Sequence, residues 1–456
     1  MNPSIFREYD IRGVVEDDLP PEAVRTLGRA FGTQAVRAGA KTCALGRDCR
    51  LTSPRLADEF AEGLVACGLE VIDVGQVPTP LLYFSVQHFK ADAGAMVTGS
   101  HNPPEYNGFK VQLGTSSLHG EGIQALRVLA ESGDFASGAG SRRAADAVAP
   151  YLEYVQRNIR LARTGVRVVV DAGNGVAGAV AVPLMKAMGL MPIALYCDPD
   201  GSFPNHHPDP TVPRNLEDLI ARVKAEGAAL GVAYDGDGDR LGAVDEAGRI
   251  VWGDKLLLLL ARAVLAAVPG AAIIGEVKCS QTLFDDIARR GGRPILWRTG
   301  HSLIKAKMKE EGALLAGEMS GHLFFAHRYL GYDDAIYASL RLLEIVAAAN
   351  RPFSALLSDV PRTVTTPEIR VDCPDDVKFD VVRRVQDACR GRKDVRLIEI
   401  DGARLHFPGG WGLVRASNTQ PVLVLRFEAD NDRTLAGIRR DVEREIDRAR
   451  KAGGRG

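Results

Sequence analysis

Short apolar runs alternate with longer amphipathic stretches along this chain, and three times they do so in the same order. The first unit has an apolar run at 42–45, a helical pattern at 54–67 and a second run at 69–74. The second has 166–170, 176–188 and 190–195, and the third 271–277, 282–290 and 293–297. Gly68, Gly189 and Gly291 stand where each helix needs a C-terminal cap. Each unit then reaches a further apolar strand, at 93–97, 230–234 and 313–316. Strands alternating with helices predict three related mixed or parallel α/β domains, at 1–147, 148–249 and 250–362. From about 364 the order becomes strand, helix, strand, strand, helix. That predicts a smaller C-terminal α+β domain, 363–456, joined through a Pro-flanked segment near 361–367 that can act as a hinge.

Each of these further strands runs into a polar motif. The first unit gives Thr98-Gly99-Ser100-His101-Asn102-Pro103, the second Asp235-Gly236-Asp237-Gly238-Asp239-Arg240, the third Gly317-Glu318-Met319-Ser320-Gly321-His322. Ligands of open α/β sheets bind beyond the carboxyl ends of the strands, so three polar motifs in equivalent places predict one shared cleft.

Asp235, Asp237 and Asp239 are the strongest chemical signal. Three carboxylates so close repel one another unless a cation sits among them, and hard oxygen ligands suit Mg²⁺. Alternate residues of a straight strand lie roughly 7 Å apart, so Gly236 and Gly238 are expected to let the backbone curl. A calcium EF-hand would place glycine where Arg240 stands, although Glu246 falls at its last position. Ser100 lies in no Ser-His-Asp arrangement, and a bare serine is a weak nucleophile. A serine already phosphorylated is instead a donor, needing a cation on its phosphate and the charges of Lys110 and Arg240. Arg415-Ala416-Ser417-Asn418-Thr419 reads as a phosphate clamp, with an arginine fork beside two hydroxyls. Glu318 and Ser320, two apart, would point the same way from an extended backbone and suit adjacent sugar hydroxyls. Lys278 and His301 end other strands of the third unit. His206 and His207 read as a structural turn rather than a metal site. Gly173-Asn174-Gly175-Val176-Ala177-Gly178 matches a dinucleotide fingerprint, but Asp171 would crowd the pyrophosphate, and the unit recurs twice without these glycines.

Composition narrows the partners. Among 456 residues, 57 Lys and Arg face 58 Asp and Glu, so no global field favours nucleic acid or a membrane surface. Seven scattered cysteines without a C-x-x-C pair argue against a disulfide framework. The first residues lack a signal-peptide core, and 256–268, broken by Arg262, reads as a buried helix. A cytoplasmic enzyme, monomeric or weakly oligomeric, is expected.

Together the segments 98–103, 235–240, 317–322 and 415–421, preceded by Phe6-Arg7-Glu8-Tyr9-Asp10-Ile11-Arg12-Gly13, resemble the α-D-phosphohexomutases over the whole chain. The resemblance implies four domains around a central cleft and conversion between hexose 1- and 6-phosphates. It makes Ser100 the phosphoserine and places Mg²⁺ on Ser100, Asp235, Asp237 and Asp239. It assigns His101, Lys110, Arg240 and His301 to the catalytic group. Tyr9, Arg12 and Lys278 would line the cleft. Glu318, Ser320 and His322 would meet the sugar, and Arg415, Ser417, Asn418 and Thr419 its phosphate. The implied route passes through hexose 1,6-bisphosphate, which also activates the enzyme, while the sugar turns over within the cleft. Met319 and the loop Ser-Asn-Thr-Gln-Pro resemble the phosphomannomutase/phosphoglucomutase branch rather than the phosphoglucosamine mutases. A metal-dependent sugar phosphatase with Asp235 as nucleophile, and a phosphosugar sensor without turnover, are the rival readings.

Overall fold

The structure, a computed structural model, describes residues 1–418 and 420–453. Its strands form four sheets. The first three repeat one plan. A central strand lies parallel to a strand on each side, as Thr42–Arg47 does between Ala93–Val97 and Glu70–Gln76. Arg167–Asp171 sits in the same way between Leu230–Tyr234 and Met191–Leu195, and Ala272–Glu276 between Leu315–Gly317 and Arg293–Trp297. The helices Ser53–Ala66, Gly178–Ala187 and Gln281–Arg289 make the crossovers, close to the stretches their periodicity predicts. Each ends in the same capped turn: the amides of Gly68, Gly189 and Gly291 donate to Val65, Lys186 and Ala288 at 2.9, 3.0 and 3.0 Å, all with positive φ.

One feature of the plan is absent from the sequence pattern. The further strand of each unit turns back on itself, so Ala93–Val97 pairs antiparallel with Tyr106–Leu113, Leu230–Tyr234 with Leu241–Asp245, and Leu315–Gly317 with Leu323–Phe325. The three polar motifs are therefore the tips of three hairpins. The sheets are mixed, and residues beyond each tip return to the cleft.

Beside a separate apolar cluster in each of these domains, some apolar side chains from the three sheets and their helices merge into one shared buried cluster. Ile72 and Tyr83, Val168 and Tyr234, and Leu257 and Tyr337 all belong to it. The helix Gly253–Ala267 runs through this cluster, and Arg262 is tolerated because Asp286 and Asp359 pair with it at 2.8 and 2.9 Å. Among the described residues no helix is long and apolar enough to cross a membrane.

The fourth sheet is antiparallel throughout, in the order Val364–Thr365, Val422–Ala429, Gly410–Ala416, Ala403–Phe407, Arg396–Ile398, with Ile369–Asp372 also on Val422–Ala429. The helices Lys378–Cys389 and Asp432–Gly453 cover one face and give it a separate core. Two strands precede the first helix and four come after it, more than the sequence pattern implied. In Ala403–Phe407 the apolar Ala403 and Leu405 join the core of this domain, while Arg404, fully buried, alternates with them on the opposite face and reaches the Val277 and Cys279 carbonyls of the third domain.

Candidate functional site

The first and second hairpin tips meet. Ser100 is 2% exposed, and its φ of 49° is a left-handed conformation rare for serine. Its amide donates to Thr98 Oγ1 at 2.8 Å, closing the turn, and its Oγ donates to Asp235 Oδ2 at 2.9 Å. The same Oγ lies 3.1 Å from His101 Nδ1. The two glycines of the second tip do different work. Gly238 has φ 74° and makes the turn, whereas a Cβ on Gly236 would lie 2.4 Å from the Ser100 carbonyl oxygen. Glycine is thus needed both to curl the acidic loop and to let the serine loop approach it.

Asp235, Asp237 and Asp239 are wholly buried and offer oxygens within 4.8 Å of one another. Asp235 Oδ1 accepts from the amides of Asp239 and Arg240 at 3.0 and 3.1 Å. Lys110, from the return strand, reaches Asp237 Oδ2 at 2.7 Å and Asp239 Oδ2 at 2.5 Å, and Thr79 donates to Asp237 Oδ2 at 2.6 Å. Among the described residues, Asp237 Oδ1 and Asp239 Oδ1 have no hydrogen-bond partner. Burial pushes the Asp235 carboxyl well above the ordinary carboxylate range, and Asp239 and Asp237 push it further. For Asp237 burial acts the same way, but Lys110 outweighs it and holds the carboxyl low. An anionic pocket with orphaned carboxylate oxygens is a site able to hold a metal ion, and all-oxygen donors fit a hard divalent cation.

Cations and imidazoles ring this centre. Arg12 donates to Asn102 Oδ1 at 2.6 Å and pairs with Asp10 at 2.5 Å. Arg240 Nε donates to His322 Nε2 at 2.9 Å, which leaves the ring proton on Nδ1, 2.8 Å from Asp333. His301 stacks on His322 with ring centroids 5.9 Å apart and meets Tyr9 edge-on at 6.0 Å. Burial holds Lys110 against its charge, but Asp237 and Asp239 prevail and keep it well above the usual lysine range. His101 is pushed well below the usual histidine value by burial and then by Arg240 and Arg12. His301 is lowered likewise, by burial and then by Lys305 and Lys110. A charged lysine and neutral imidazoles in one buried cluster are groups able to give and take protons.

The third tip joins through hydrogen bonds. Glu318 and Ser320 do face the same way, but not from an extended backbone: the Gly321 amide donates to the Glu318 carbonyl at 3.1 Å, a tight turn. Ser320 Oγ donates to Glu318 Oε2 at 2.9 Å, and the Gly300 amide to Oε1 at 2.9 Å. Tyr9 ties the third and fourth sheets to the first, donating to the Thr299 carbonyl at 2.7 Å and bonding to the Asn418 amide. Arg415 pairs with Asp401 at 3.0 Å, close enough to Tyr9 to lower its pKa, although burial raises that phenol overall. Lys278 pairs with Glu368 at 3.1 Å. Thr419 lies outside the described residues.

Several neighbours of this site were invisible in the sequence. Arg50, Thr79 and Asp333 each touch a named site residue or its loop, yet none stands in a motif. An acidic pair at Asp333-Asp334 opening a helix, and Asp48 and Arg50 just past a strand end, were the available signals. The dinucleotide-like glycines prove to serve packing. A Cβ on Gly175 would lie 2.7 Å from the Gly236 carbonyl oxygen, and one on Gly178 2.7 Å from Cys197. His206 lies 3.1 Å from both Asp171 oxygens, and His207 Nε2 bonds to the His101 carbonyl.

Known proteins share this plan. Residues 3–133, 149–248 and 252–364 match phosphoglucomutase/phosphomannomutase alpha/beta/alpha domains I, II and III, and 368–445 match the C-terminal domain of that family. A phosphomannomutase/phosphoglucomutase of Pseudomonas aeruginosa is 51% identical over 437 residues, covering 96% of this chain and 94% of that protein. A phosphoglucomutase of Neisseria gonorrhoeae is 45% identical over 95% of each chain. The crystal structure of a phosphoglucomutase/phosphomannomutase family protein from Burkholderia thailandensis superposes with a TM-score of 0.93 at 44% identity, covering 99% of this chain and 98% of that one. With all four domains matched in order from end to end, the chain belongs to the phosphoglucomutase/phosphomannomutase family.

Proposed function

We propose that the protein interconverts the 1- and 6-phosphates of mannose, glucose or both, with Ser100 as a standing phosphoserine and hexose 1,6-bisphosphate as the intermediate. The observation that carries this reading is the contact of Ser100 Oγ with Asp235, at the lip of three buried carboxylates and beside Lys110. The four domains are read as 1–147, 148–249, 250–362 and 363–456, one cleft wall from each.

Asp235, Asp237 and Asp239 would hold Mg²⁺, with an oxygen on Ser100 completing the set. The cation supplies neutralisation of charge on the transferring phosphoryl group. The chain's own residues then divide the work. Arg415, Ser417, Asn418 and Thr419 grip the phosphate that stays on the sugar, and Lys278, Tyr9 and Arg12 line the approach. Glu318 and Ser320 take two adjacent sugar hydroxyls, and His322 borders them. A neutral imidazole, His301 or His101, accepts the proton of the attacking sugar hydroxyl as its oxygen bonds to phosphorus. The bond from phosphorus to Ser100 Oγ breaks, and that oxygen takes a proton from Lys110. Arg240 balances the charge between them. After the bisphosphate turns over, the steps run in reverse and the other phosphate returns to Ser100. Contacts to hydroxyls shared by both orientations read the configuration at C2 weakly, which suits both mannose and glucose phosphates. The relatives of this chain favour neither the amino-sugar mutase nor the phosphatase reading. Closure of the fourth domain on substrate would complete the phosphate grip. A fall in the radius of gyration on adding substrate, measured by small-angle scattering, tests that closure.

Intact mass is the direct test. The reading expects about 80 Da of added mass after treatment with glucose 1,6-bisphosphate and Mg²⁺, removed by excess hexose phosphate and absent in Ser100→Ala. A chain that never gains that mass refutes it. A phosphatase with Asp235 as nucleophile would instead keep its activity in Ser100→Ala.

A further inference from the structure

One buried side chain grips the Ser100 hairpin from behind. Arg50 is 1% exposed and lies just past the strand Thr42–Arg47. Its Nη1 donates to the carbonyl oxygens of Pro103 and Tyr106 at 2.7 and 2.9 Å, and its Nη2 to those of Ser100 and Asn102 at 2.8 and 2.5 Å. Four carbonyls of one irregular loop thus converge on one guanidinium. The bond to the Ser100 carbonyl is buried and the other three are partly buried, and a buried carbonyl left unpaired is costly. Only arginine offers enough donors in a fixed plane to serve all four.

The slot is cut to this group. A Cβ on Gly99 would lie 2.5 Å from Arg50 Cζ and 2.8 Å from the Tyr106 carbonyl oxygen, so glycine before Ser100 lets both the guanidinium and the return strand close in. The Phe203 ring, from the second domain, lies 5.3 Å over the guanidinium carbon, and Phe203 itself has a left-handed φ of 50°. Asp48 lies 3.4 Å from Arg50 Nε and accepts from the Gly99 amide at 3.2 Å, which ties the same loop a second time.

We propose that Arg50 is a positioning residue for phosphoryl transfer: its fork fixes the left-handed turn at Ser100 and so aims Oγ at Asp235. It does this through guanidinium geometry, not through charge alone. The proposal rests on the reading of Ser100 as the phosphoryl carrier. A misplacement of about 1 Å at a reacting group can cost roughly 100-fold in rate. Arg50→Lys keeps the charge but not the fork, since one nitrogen cannot span four acceptors.

The test charges the full chain with glucose 1,6-bisphosphate and Mg²⁺ and times the single-turnover discharge of phosphate to glucose 1-phosphate. Arg50→Lys is expected to discharge about 100-fold more slowly. Its KM for the sugar phosphate should stay close to that of the unchanged chain, because the proposed grip on sugar and phosphate, Glu318, Ser320, Arg415 and Ser417, lies on other domains. The phosphoserine signal in ³¹P NMR should broaden or split in the variant and stay single in the unchanged chain. Arg50→Gly should regain discharge rate with millimolar methylguanidinium but not with methylammonium. Phe203→Leu, which leaves Arg50 in place, should slow discharge by a smaller factor. If Arg50→Lys charges normally and discharges at the unchanged rate, the proposal is overturned. Equal rescue by both cations overturns it too. Where the Arg50 variants do not fold, an unaltered discharge rate in Phe203→Leu overturns it. An unchanged chain that takes up no phosphate fails the Ser100 reading and the proposal with it. Normal charging with indifferent variants fails the proposal alone.

Discussion

The loop that presents Ser100 and the loop that presents Arg415 to Asn418 are both polar turns between antiparallel strands, yet they are mounted in opposite ways. The first is fastened on every side. Arg50 holds its carbonyls, the Gly236 backbone packs against it, and His207 bonds to the His101 carbonyl. The three sheets beneath it, besides clusters of their own, all contribute to one shared apolar core. The second loop rides on a sheet with its own core, which meets the third domain through the small cluster Val277, Trp411 and Leu413. Polar contacts supplement that cluster: Arg404 to the Val277 and Cys279 carbonyls, Lys278 to Glu368, and Asn418 to Tyr9. The difference separates two tasks. In the proposed reaction, groups around Ser100 Oγ would be preorganised, while the groups proposed to grip the sugar's phosphate sit on a unit joined by few apolar contacts and so cheaper to displace.

Breaking the rigid side should cost most. Ser100→Ala is expected to abolish phosphate incorporation and lower turnover by at least about 10³-fold, read by intact mass and a coupled assay. Asp237→Asn should come next, with a loss of roughly 10²–10³ in kcat, because it weakens both the cation site and the hold on Lys110. Chelation of divalent cations should silence the unchanged chain, and added Mg²⁺ should restore it. If Asp237→Asn keeps full turnover, the acidic pocket is not where charge is balanced.

The loosely joined side should fail differently. Arg415→Ala removes a charged donor for the bound phosphate, and such bonds are worth about 1.5–3 kcal/mol. KM for hexose phosphate should therefore rise roughly 10–100-fold with a much smaller change in kcat. A fall in kcat equal to the rise in KM would show that the fourth domain shapes the transition state as well as the grip, and the contrast between the loops would soften.

Much of this contrast was legible in residues close together in sequence. Gly68, Gly189 and Gly291 marked the three helix ends, and the triplet Asp235, Asp237, Asp239 announced a buried acidic cluster able to hold a cation. The hidden parts depend on distance along the chain. Arg50 touches carbonyls some fifty residues on, and nothing in Cys49-Arg50-Leu51 says that its fork is buried. The return strands were missed because Tyr106–Leu113 mixes Lys110 and Gln112 into a buried strand, polar groups that face the site or bond within the hairpin. Arg404 likewise alternates with apolar Ala403 and Leu405 yet faces the third domain rather than water. Polar residues buried for function or for domain contact keep the alternation but hide that both faces of the strand are covered.

The smallest effect should come from the seam itself. Lys278, with Arg370 also near, holds the Glu368 carboxyl down to about 2 against the opposing pull of burial. That lies below the unfolded value of about 4.3, so the pair adds stability above that pH and loses it as pH falls towards about 2. Glu368→Gln should therefore lower Tm by only about 2–4 °C near neutrality, as a partly exposed pair allows, and flatten the acid limb of Tm against pH between about 5 and 3. Because the seam and not the phosphate grip is altered, KM should move less than in Arg415→Ala. If the acid limb keeps its slope in the variant, Glu368 is not the group that titrates there. The coupling of the fourth domain would then rest on the buried arginine Arg404 and the Trp411 patch rather than on this ion pair.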